Sequence, residues 1–217
     1  LDEKKIYPIE NYGSAMAPFY STLAIWVGAV VMAAMLKVTV ADSTKKILFH
    51  PKEYQLYIGR ILLLIIIGFM QSALICLGDL FFLGIQCKHP VMFVLTGMFT
   101  SFVYVNLIYA LTVSFGDIGK AIAVVLMVMQ VAGSGGTFPI QCAPKFFQVV
   151  YPLLPFTHSM NAMRECIAGF YGTTYAAEIG KLAIYLVPSL LLGLLLRKPI
   201  IKMNEAFMEK LESTHLI

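Results

Sequence analysis

Residues 133–172 read GSGGTFPIQCAPKFFQVVYPLLPFTHSMNAMRECIAGFYG, and the reading of this stretch decides the fold. It is too apolar for an ordinary loop. Pro139, Pro144, Pro152 and Pro155 nevertheless exclude one straight helix, because each lacks an N–H and its ring clashes with the preceding turn. The piece from Phe146 to Leu154 makes roughly 14 Å of helix against the ~30 Å of a hydrocarbon core, so it does not span. We expect two short helices joined by a kink, a re-entrant hairpin. Pro144 suits a first helical turn, followed by Phe146, Phe147, Val149, Val150, Leu153 and Leu154 at helical spacing. The second helix is expected to start at Thr157 or Ser159 as cap, with Met160, Met163, Ile167 and Phe170 on one side, Arg164 at the edge of that stripe and Glu165 away from it. Gly133, Gly135 and Gly136 form a hinge that ends the preceding membrane helix early, and Pro139, Pro152 and Pro155 set the bends.

Outward from the hairpin, the rest of the chain is lipid-soluble. Of 217 residues, 59% are hydrophobic and 13% charged, against about 45–50% and 25% in soluble domains. The fold class is all-α, a polytopic membrane bundle. Net charge is +4, but the basic residues flank apolar segments, as topology determinants do, so no nucleic-acid binding is expected. The chain opens at Leu1 without a signal-peptide pattern, and we read it as part of a longer polypeptide whose upstream extracellular region ends within residues 1–16.

Five spans are expected within 17–196: Pro18 to Leu36, Ile58 to Leu83, Val91 to Ser114, Lys120 to Ala132 (short, running into the glycine hinge), and Gly180 to Leu196, kinked at Pro188. Between the first two, Lys37 to Tyr57 is the most basic connection. Pro51 is expected to start a helix, PKEYQLYIGR, lying at the interface. Residues 197–217 form a basic tail with an amphipathic face of Met203, Phe207, Met208 and Leu211. Ten of the sixteen Lys and Arg then fall on one side, which places the N-terminus outside and the C-terminus in the cytoplasm. Lys45, Lys46 and Lys52 either set orientation or contact a cytoplasmic partner.

Few polar residues interrupt the spans. Asp79, near the outer end of the second, is either solvated at the interface or part of a transport path. Asn106, inside the third, reads as helix-to-helix glue or as functional. His158, Arg164 and Glu165 form the densest polar group on the hairpin, as solvated outer-face residues or as a gate or docking surface. Cys76 reads as a small core residue. Cys87, Cys142 and Cys166 lie in or near the outer face, where a bridge between two of them stays open.

Chemistry is sparse. There is no GxxxxGK[ST] to cradle ATP phosphates, no HExxH, and no cysteine spacing for a structural metal. Ala132-Gly133-Ser134-Gly135 approximates the GxSG of intramembrane serine proteases, but Ala132 stands at the first glycine and no later span carries a His as base. No catalytic residue, cofactor site or metal site is expected, and the chain does not read as an enzyme.

Taken in order, YGSAMAPFYSTLAIWVGA, LGIQCKHPVMF, FGDIGKAIAVVLMVMQVAGSGGTFPI and FFQVVYPLLPFTHSMNAMRECIAGFYG resemble the C-terminal membrane domain of the YhgE/Pip proteins, the phage infection protein family. Cys142 and Cys166 are outside that pattern. The resemblance implies a Gram-positive plasma-membrane protein with one further span and a large extracellular region upstream. The membrane domain would be similar to type-2 ABC exporter permeases, in which six helices and a re-entrant hairpin before the last form half a transporter. This implies the lipid bilayer, a separate cytoplasmic ATPase and a homodimer as partners. The alternative it carries is a non-transporting anchor or receptor for phage adsorption and the passage of phage DNA, or a scaffold for type VII secretion.

Overall fold

The computed structural model describes residues 9–36 and 53–196. Lys45, Lys46, Lys52, the start of the expected interfacial helix at Pro51 and the 197–217 tail lie outside the described residues. Every regular element among the described residues is helical: α1 (Tyr12–Met35), α2 (Glu53–Phe81), α3 (Pro90–Phe115), α4 (Asp117–Gly133), α5 (Lys145–Val150), α6 (Pro155–Ala168), α7 (Thr174–Ile184) and α8 (Leu186–Leu190). Short 3₁₀ turns at Ile140–Cys142 and Tyr151–Leu153 flank α5, and a π-helical turn, Leu191–Leu196, follows α8.

Among the described residues, four helices are long and apolar enough to cross a membrane: Tyr12–Met35, Tyr54–Phe81, Pro90–Phe115 and Thr174–Leu194. The expected fourth span is α4. Its 17 residues reach about 25 Å, short of a full crossing. Three boundaries differ from expectation for local reasons. Helix α1 starts six residues before Pro18, because Asn11 Oδ1 accepts from Ser14 N at 2.8 Å and caps it. Helix α2 runs unbroken through Tyr57 and Ile58, so there is no separate interfacial helix over its described part; the lone Gly59 costs only about 1 kcal/mol and does not stop a helix. In the last span the break falls at Tyr185, three residues ahead of Pro188, because Pro188 has no N–H to offer the carbonyl one turn earlier.

Helix α3 is the hub. It is apolar around its whole circumference, as a helix with neighbours on every side must be, and it packs against α1, α2, α4, α6, α7 and α8. Small residues set the approaches: a Cβ on Gly97 would stand 2.4 Å from Cys76 Sγ, which fixes how closely α3 and α2 sit. The α3–α4 turn is tighter than the sequence suggested. Gly116 takes φ +62°, and a Cβ on Gly119 would stand 2.1 Å from Leu111 O, so α4 begins at Asp117 rather than Lys120.

Trp26, fully buried, joins four helices. Its Nε1 donates to Ala123 O of α4 at 3.2 Å, and its ring meets Tyr104 of α3 edge-on, with centroids 4.7 Å apart. Tyr104 Oη in turn donates to Ser159 Oγ of α6 at 2.9 Å. Trp26→Ala should cost about 3–5 kcal/mol, and Trp26→Phe, which loses mainly the bond to Ala123, about 1 kcal/mol. Thermal unfolding of the purified protein in detergent checks the order, and an unchanged midpoint in the alanine variant would contradict the keystone role.

Candidate functional site

The hairpin begins where α4 stops. Gly135 takes φ +64°, and Gly136 lies flat under Phe19 of α1, where a Cβ would stand 2.1 Å from the ring. The glycines therefore serve close packing as much as bending. Pro139 precedes the first 3₁₀ turn and Pro152 lies in the second. Helix α5 starts after Pro144, as expected, and leaves Phe146 and Val149 exposed, as lipid-facing residues are.

Helix α6, the second helix of the expected hairpin, differs from expectation in its cap and in how many of its faces are buried. It starts at Pro155, which occupies N1. Neither Thr157 nor Ser159 caps it; Ser159 instead lies inside, where it meets Tyr104. Of its 14 residues, all but Asn161 and Arg164 are buried, against α1, α3 and α7. A helix this polar stays buried only if its polar groups are answered inside. At its C-terminal end, Lys88 N donates to Ile167 O at 3.1 Å and His89 N to Cys166 O at 3.0 Å. The α2–α3 loop thus satisfies carbonyls a helix end leaves orphaned. Glu165, expected away from the buried stripe, is 1% exposed and accepts from Tyr171 N at 2.7 Å, holding the chain as it turns at Gly169. Phe170, assigned to that stripe, lies beyond the helix and stacks on His89 with centroids 4.3 Å apart.

The centre of the site is His158, read from the sequence either as a solvated outer-face residue or as part of a gate or docking surface, and found 5% exposed. Nδ1 lies 2.6 Å from Glu178 Oε2 and Nε2 3.0 Å from Pro152 O. Lys181 Nζ donates to Glu178 Oε1 at 2.8 Å. A backbone carbonyl only accepts, so Nε2 carries a hydrogen. The second contact then holds one proton shared between His158 and Glu178, as an imidazolium–carboxylate pair or as neutral imidazole and carboxylic acid. Either way the pair ties the hairpin's kink, through Pro152, to α7. Sequence reasoning did not single out Glu178. The signal was there: a carboxylate with Lys181 three residues on, at the mouth of an apolar span.

The remaining candidates are dispersed. Arg164 is half-buried at the rim, with Nη1 donating to Asn161 Oδ1 at 3.2 Å. Asn106 is buried, but its Nδ2 donates to Phe102 O of its own helix at 2.7 Å and makes no bond to a neighbouring helix. Asp79 accepts from Ser21 Oγ of α1 at 2.5 Å, remote from His158 along the chain. The four sulfurs are free thiols. Cys87 Sγ donates to Cys166 O at 3.5 Å, and burial raises the Cys87 thiol above its usual value. Cys142 is exposed. Among the described residues no group of His, Cys, Asp and Glu could hold a metal ion.

Apolar spans around a docked, proton-sharing hairpin make a multi-pass membrane protein of the permease kind. The chain belongs to the ABC-2 family transporter proteins, whose family model matches residues 3–196. It is also similar to the uncharacterized protein YhgE of Bacillus subtilis (strain 168), 27% identical over 164 residues, which are 75% of this chain and 20% of that protein. The resemblance to the YhgE/Pip proteins is thereby borne out, and the chain spans about a fifth of that relative's length. No solved structure matches.

Removing one partner of a buried pair costs more than the pair contributes, because the other is left uncompensated. His158→Ala or Glu178→Ala alone should each destabilise by about 3–5 kcal/mol. The double variant should cost less than the sum, a coupling read by a double-mutant cycle on thermal unfolding; strict additivity would mean that the two do not share a proton.

Proposed function

We propose that this domain is the permease-like part of an export or secretion system in the plasma membrane of a Gram-positive bacterium, energised by a separate cytoplasmic ATPase and working as a homodimer. Residues 1–16 end an extracellular region, 17–196 form the membrane domain and 197–217 a cytoplasmic tail. The reading rests chiefly on α6: a polar helix that dips among α1, α3 and α7 and is latched to α7 by His158 and Glu178. Such an element closes the outer end of a bundle through a contact that one proton or a small shift can release. Gln130, Ser134 and Thr157, at the end of α4 and the start of α6, are buried with side-chain atoms unpaired among the described residues. Groups of that kind cost about 1–3 kcal/mol each and favour a second arrangement in which they are paired. Lys45, Lys46 and Lys52 form the face offered to the ATPase.

A second reading has its own support. Four-fifths of the length of the Bacillus relative lies outside the region this chain matches, so the domain as anchor or receptor for a large outer segment, serving phage adsorption or a secretion scaffold, stays in contention. Photo-cross-linking from positions 45, 46 and 52 in cells separates the two: the permease reading expects an ATPase in the adduct, with the adduct lost on reversing the three charges. Capture of no ATPase would favour the anchor. Orientation is read from Cys142, the exposed thiol of the hairpin. A membrane-impermeant maleimide added to intact cells should label it, and labelling only after lysis would invert the topology.

A further inference from the structure

Where α1 begins and α2 ends, the two helices part around a cleft of about 390 Å³, lined by Tyr12, Met16, Tyr20, Asp79, Leu83 and Ile85 among others. One wall is pinned: Gln86 N donates to Ser14 Oγ and Glu10 N to Gln86 Oε1, both at 2.9 Å, tying the α2–α3 loop to the first turn of α1. Among the described residues, Asp79 is the one acidic side chain in the lining, and no Lys, Arg or His lines it. Among the described residues, the side chain of Asp79 has a single partner, the Ser21 hydroxyl on Oδ2, and the ion pairs formed there do not include it. A half-buried carboxylate at the edge of a membrane span without a cation is costly and marks a site. Here its surroundings name the complement. Oδ1 offers a negative charge, tyrosine rings attract cations through their faces, and Leu83 and Ile85 supply an apolar wall.

We propose that this cleft binds an alkylammonium group carried on an apolar body, with the cation at Asp79 and the hydrocarbon along Leu83 and Ile85. The size suits a single headgroup or a small amphiphile, at the low end of ligand pockets of about 300–1,000 Å³. The site is independent of the ATPase-driven reading, since binding is read without transport.

The test uses the full chain in a neutral maltoside detergent, with adducts counted by native mass spectrometry. Dodecyltrimethylammonium should bind at one site. Asp79→Asn should lower its apparent affinity at least tenfold, Asp79→Glu should retain it, and Tyr12→Leu, a change at an exposed position, should weaken it severalfold. Phosphatidylglycerol, an anion of comparable apolarity, should be insensitive to all three. If phosphatidylethanolamine competes with the probe, the natural occupant is a lipid headgroup; if it does not, the occupant is a soluble amphiphile. Equal binding to wild type and Asp79→Asn overturns the proposal. So does binding that appears only after Lys4 and Lys5 are changed to Gln, which would give the cleft to the chain's own amines.

Discussion

A polar helix inside a membrane bundle has no water to lean on, so every group it carries and both of its ends must be answered by protein. Helix α6 meets most of that requirement from three directions, with Thr157 Oγ1 left unpaired among the described residues. Tyr104 answers Ser159, the α2–α3 loop answers the last carbonyls at Cys166 and Ile167, and Glu178 answers His158. Each answer comes from a different neighbour, so α1, α2, α3 and α7 are held in one arrangement by a helix that none of them precedes directly in the chain. The hub position of α3 follows: it is the helix that reaches the hairpin, through Tyr104, and the first span, through the same ring's contact with Trp26.

Much of this was legible in the sequence, and what was legible follows a physical rule. Composition and the length of uncharged runs announce spanning helices because lipid penalises every alternative. The four prolines within 139–155 announce that the hairpin cannot be straight, since a missing N–H acts locally whatever surrounds it. Single glycines were harder to read. Gly59 lies where the expected interfacial helix was to turn into the second span, and the helix simply absorbs it. Gly136 was expected to confer a hinge, and it also admits Phe19, a contact across more than a hundred residues that no local pattern encodes.

The polar residues were the least legible, for one reason. Along a sequence, His158, Arg164 and Glu165 look alike: charged or chargeable side chains on a helix flanked by prolines. Whether they meet water depends on what covers them, and the cover comes from α3 and α7. Burial then separates them, with His158 and Glu165 inside and Arg164 at the rim. Asn106 errs in the opposite direction: an amide deep in a span was expected to reach a neighbouring helix and satisfies itself on Phe102 O, the nearest acceptor one turn back.

The same constraint explains why the two polar centres of the domain differ in character. His158 and Glu178 neutralise one another and Lys181 completes the set, so the hairpin latch is closed upon itself and needs no solute. In the permease proposed above, its opening takes one of two forms: a proton that breaks the sharing, or a movement of α7 that carries Glu178 away. Asp79 has no such complement; the hydroxyl of Ser21 satisfies one oxygen and leaves the charge. The bundle pairs its polar groups at His158 and Glu178 and, among the described residues, leaves Asp79 without a cation where α1 begins and α2 ends. In the two readings proposed above, one centre holds the hairpin in place and the other offers its charge to a ligand that is not part of the chain.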